Sequence, residues 1–105
     1  MTEADYGFTL SFDRDRLLWV LEKFELAARH LESNDAPIQE RLKHALFEIL
    51  VVGPADLPYD LREQLDPVRR AMSEVSLVMT TTVAEAVGQA ILKLRDELKR
   101  RIETR

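Results

Sequence analysis

The sequence predicts an all-α fold, a helical bundle of four to five helices preceded by an extended, strand-like N-terminal segment. Three observations carry that prediction. Apolar residues recur at intervals of three and four along most of the chain. Breakers such as ESNDAP and Gly53-Pro54 cut this pattern into pieces of helical length. A clean period of two stands out in YGFTLSF, residues 6–12. With 105 residues, 46% hydrophobic and 32% charged, the chain is sized for one domain that buries its own core. The domain reading is an extended segment over 1–12 and a single helical-bundle domain over 13–105.

In YGFTLSF, Tyr6, Phe8, Leu10 and Phe12 alternate with Gly7, Thr9 and Ser11. A lone two-stranded ribbon is marginal in water, and an unpaired apolar strand invites aggregation. The segment therefore either lies as an arm across the helices or pairs with the same segment of a second copy, and the second reading is preferred. The first helix is expected to begin near Ser11 or Asp13 and to end near Ser33. Leu17, Leu21, Phe24, Ala28 and Leu31 form its inward stripe. Pro37 suits the first turn of a second helix, which carries Ile38, Leu42, Ala45, Leu46, Ile49 and Leu50 inward and stops at Gly53-Pro54. The short connection implies an antiparallel hairpin.

Leu57, Leu61, Leu65, Val68, Met72, Val75 and Met79 keep helical spacing through Pro67. An interior proline removes a hydrogen bond and clashes with the preceding turn. A break is expected there, with Asp66 as N-cap of the second piece. Residues 76–82, SLVMTTT, are rich in β-branched side chains and are left open between helix, strand and loop. Thr82 and Glu85 have capping-box spacing. The last helix is therefore started at Thr82 and run to about Ile102, with Val83, Val87, Ala90, Ile91, Leu94 and Leu98 inward. Gly88 implies close approach of another helix, since glycine otherwise costs a helix about 1 kcal/mol against alanine.

Functional classes are narrowed mostly by exclusion. There is no cysteine, hence no disulfide framework, thiolate nucleophile or cysteine-type zinc site. The N-terminus is acidic where a secretory signal would be basic, and Ile49 to Val52 is far too short an apolar run to cross a bilayer. A cytoplasmic chain with no membrane association is expected. The net charge is −4, and the chain is acidic apart from its end. Residues 93–105 hold six basic residues against three acids, leaving nine against sixteen in the rest. That basic end lacks interleaved aromatics and reads as cations complementing a helix C-terminus. A nucleic-acid contact is the disfavoured alternative.

No catalytic constellation emerges, and neither a cofactor site nor a metal site is assigned. The three glycines build no phosphate-binding loop, and no serine sits in a nucleophile elbow. Glu40, His44 and Glu48 share one helical face, as solvated charges commonly do, and His30 and His44, on antiparallel helices, need not be neighbours. ALFEILVVGPADLPYDLREQL has the outline of a helix-turn-helix, but its second helix offers Asp60 and Glu63 against a single Arg62. Trp19 and Leu26 lie roughly opposite the inward stripe of the first helix, either as an interface or as the covered back of a central helix. Tyr6, Phe8, Leu10, Trp19 and Leu26 are thus the candidate partner-interface residues. The expected function is a non-catalytic protein-interaction or regulatory module, homodimeric, with a further protein partner allowed. A nucleic-acid-associated protein using the basic C-terminal helix end is the alternative, and a metal-dependent enzyme comes third.

Overall fold

Among the described residues, four α-helices follow one another in an all-α fold: α1 (Glu3–Glu32), α2 (Ile38–Glu48), α3 (Arg62–Ser73) and α4 (Thr81–Glu103). Two short 3₁₀ turns, Pro54–Asp56 and Tyr59–Leu61, link α2 to α3. This computed structural model describes the backbone of residues 3–73 and 79–103 and the side chains of residues 14–73 and 79–103. The side chains of Tyr6, Phe8 and Leu10, the expected inward Val75 and the expectation for residues 76–78 lie outside that set.

Residues 6–12 are not extended: α1 runs unbroken from Glu3, so no boundary separates an arm from a helix near residue 13. An alternating pattern becomes a strand only where a ladder can form, and no strand occurs among the described residues. Adding a residue to an existing helix, by contrast, supplies its own backbone hydrogen bond.

The core is built where the stripes meet. From α1 it takes Leu17, Val20, Phe24, Ala27, Ala28 and Leu31. From α2 and the turn after it come Leu42, Ala45, Leu46, Ile49 and Val52, and Leu57, Leu61, Leu65, Val68 and Ala71 follow. Ala84, Val87, Ile91, Leu94 and Leu98 line α4, which packs against all three other helices. Burying each such Leu, Ile, Val or Phe contributes about 1.5–3 kcal/mol, so these stripes rather than helix propensity hold the bundle.

Connections are secured by side chains. Arg41 donates to the carbonyls of Leu31 and Ala36, satisfying the otherwise open end of α1 and fixing the antiparallel α1–α2 turn. Gln39 reaches from α2 to the Met79 carbonyl at 3.3 Å and the Thr81 hydroxyl at 3.0 Å. The cap of α4 is Thr80, whose hydroxyl accepts the Val83 N–H at 3.1 Å, two residues before the expected Thr82. Pro37 stands at the N-cap of α2 rather than inside its first turn, and α2 ends at Glu48, short of Gly53-Pro54.

Two expectations about α3 and its surroundings are corrected. Pro67 does not break the helix; it lies inside α3 with Asp66 before it, both exposed. The carbonyl that would have accepted its missing N–H belongs to exposed Glu63, which water can serve. Leu50 and Val83, expected inward, are largely exposed. Leu50 falls after α2 has ended, where the helical count no longer holds. Val83 sits in the first turn of α4, and the buried stripe of that helix begins one residue later at Ala84.

Candidate interaction surface

After Leu46 turns inward, the next residues of α2 and its exit carry more apolar side chains than the core takes up. Phe47 is 75% exposed, Leu50 58% and Val51 62%, while Ile49 and Val52 between and after them are fully buried. A ridge of three large apolar groups therefore faces solvent on one short stretch. Along one flank of it, Leu46, Phe47, Leu50, Met72 and the stem of Lys43 line a shallow apolar groove of about 160 Å³.

Glu48, next to Phe47 in the chain, belongs to the α1–α2 seam. His30 of α1 and His44 of α2 stack with ring centroids 5.5 Å apart, and His30 Nε2 lies 2.9 Å from Glu48 Oε2. The two histidines are therefore neighbours after all, because the antiparallel hairpin brings the end of α1 against the middle of α2. Their stacked rings present faces to each other. Among the described residues, no group of three His, Asp or Glu is placed to hold a metal ion, so Glu40, His44 and Glu48 do not converge on one. One helical turn back along α1 from His30 is Leu26.

Trp19 and Leu26 are neither enclosed nor free: both are half-buried. The reason is that Val20 and Ala27 join the core, which turns the buried face of α1 toward them and leaves Trp19 on its flank. The indole packs against the core from outside, with the Arg16 guanidinium 5.6 Å and the Lys23 ammonium 5.8 Å from its ring centroid. Arg16 also pairs with Asp56 at 3.2 Å, tying the middle of α1 to the first 3₁₀ turn. On the opposite side of α1, Arg95 of α4 bonds Glu25 at 3.2 Å and its own neighbour Asp96 at 2.6 Å.

The basic end of α4 is engaged with the protein itself. Arg101 makes a bidentate contact with Asp60 in the second 3₁₀ turn, and Arg100 bonds Glu97. The hydrogen bond from Arg101 holds the Asp60 carboxyl below the ordinary aspartate range. The bond from Arg100 does the same for Glu97, against the opposing effect of desolvation. Lys93 and Lys99 remain exposed on α4.

Sequence periodicity located Trp19 and Leu26 but not the ridge. Its signal was present in ALFEILVV, which holds more large apolar residues than a single inward stripe can take. No family model matches the chain, and no curated protein or solved structure matches it. None of the described helices is long and apolar enough to cross a membrane.

Proposed function

We propose that this chain is a non-catalytic protein-interaction module that works as a homodimer, burying the α1–α2 seam and its apolar ridge against a second copy. The observation that carries this reading is the clustered exposure of Phe47, Leu50 and Val51 beside a well-filled core. Large apolar groups gathered on one face mark interaction sites far more than scattered ones do. Aromatic anchors are among the residues that dominate binding energy. A second copy suits such a patch, because a two-fold interface uses the same surface twice. The nucleic-acid reading has less support, since Arg100 and Arg101 already pair with carboxylates.

The deciding experiment is mass by light scattering on the parent chain and on Phe47→Glu/Val51→Glu. The parent should be a dimer whose fraction rises with concentration. The double variant should be a monomer with unchanged helical circular dichroism, because both side chains lie outside the core. A parent that stays monomeric, or a variant that stays dimeric, refutes the reading.

A further inference from the structure

The charges beside Trp19 select how two copies meet. We propose that α1 packs antiparallel against α1 of a second copy about a two-fold axis between Glu22 and Lys23, an arrangement that rests on the self-association reading above. Such an axis sets each residue opposite the one whose number completes 45. Glu22 then faces Lys23 of the second copy, twice by symmetry. Trp19 faces Leu26, again twice, so the two half-buried apolar residues of this strip cover each other.

These residues are disposed for that contact. At 100° per residue, Glu22, Lys23 and Leu26 lie within about 60° of Trp19 around α1. Glu22 is exposed and Lys23 half-buried, and neither makes an ion pair among the described residues. Lys23 already stands over the Trp19 ring, which places its ammonium beside the strip that the second copy would cover. Arg16, at the edge of the strip, keeps its bridge to Asp56.

The same axis extends the match along α1. Asp15, exposed near the start of the described side chains, comes level with His30. Charge complementarity and apolar matching thus converge on one register. Moving the axis by one turn toward the N-terminus sets Trp19 against itself and removes the Glu22–Lys23 match.

A charge exchange tests this arrangement. In the Glu22→Lys variant the introduced lysine would face Lys23 of the other copy. In the Lys23→Glu variant the introduced glutamate would face Glu22 of the other copy. Each variant alone should dimerise at least about tenfold more weakly than the parent, because like charges meet twice across the axis. Mixing the two should restore a heterodimer of near-parental affinity, and the double exchange within one chain should restore the homodimer. Circular dichroism checks that the parent and all variants remain folded, and sedimentation or light scattering reads the masses. Single variants as dimeric as the parent, or weakened variants that mixing fails to rescue, overturn the arrangement while leaving self-association standing. A monomeric parent overturns both.

Discussion

At Gly88 the contact between α1 and α4 is close, yet not so close that glycine is obligatory. A Cβ built there would meet Leu31 Cδ2 at 3.4 Å, ordinary van der Waals contact with the mobile end of a side chain. Glycine inside a helix costs about 1 kcal/mol relative to alanine, and nothing in the packing offsets that cost. Gly88→Ala should therefore raise stability by up to about 1 kcal/mol, read from denaturant unfolding. A loss instead would show that Leu31 is held too firmly to give way. Trp19 teaches a similar lesson: its place was decided by Val20 and Ala27, two small shifts in where the buried face of α1 is centred.

At the scale of elements, α3 carries a local conflict that its burial overrides. Pro67 sits in the sixth position of that helix, where it forgoes a hydrogen bond. Leu65, Val68 and Ala71 around it are buried, and Leu61 leads the helix in from the preceding 3₁₀ turn. An interior proline is about 3 kcal/mol less favourable than alanine, while its rigidity recovers at most about 1 kcal/mol through the unfolded chain. Pro67→Ala should accordingly stabilise the protein by about 2 kcal/mol, measured as a higher denaturation midpoint at unchanged slope. An unchanged or lower midpoint would mean that the backbone around residue 63 already compensates. The N-terminal stretch of α1 shows the converse case, in which a period-two pattern yields to the continuity of a helix already nucleated.

Across the whole molecule, the far end of α4 is tied to the α2–α3 connection by charge, in addition to the burial of Leu98 and Leu61. Asp60 and Glu97 have lowered pKa values, chiefly through hydrogen bonds from Arg101 and Arg100. A carboxylate with a lower pKa in the folded chain contributes stability above its unfolded pKa, and that contribution is lost as pH falls through the folded value. The loss therefore belongs to the acid limb, below roughly pH 4 for an aspartate. Comparing the thermal midpoints of the parent and Asp60→Asn across pH should show a gap at neutral pH that closes in acid. A gap constant down to the most acid condition would mean that ionisation of Asp60 contributes nothing. The pairs are exposed and will be weakened by salt.

Residue pattern alone was enough for the helical class, the end of α1 near Ser33, the antiparallel hairpin into α2 and the buried Leu57, Leu61, Leu65 and Val68 and Val87, Ile91, Leu94 and Leu98. Those features are local: a spacing of three and four and a proline at a helix start each act within a few residues. The same pattern placed Trp19 and Leu26 away from the centre of their helix's buried face, which is half of the candidate surface. The packed bundle was needed to show that His30 stacks on His44, that Leu50 and Val83 face water, and that Phe47 and Val51 form a ridge. Helical periodicity says which residues of one helix share a face. Which neighbour covers that face, and where its cover ends, depends on the summed packing of helices far apart in the chain.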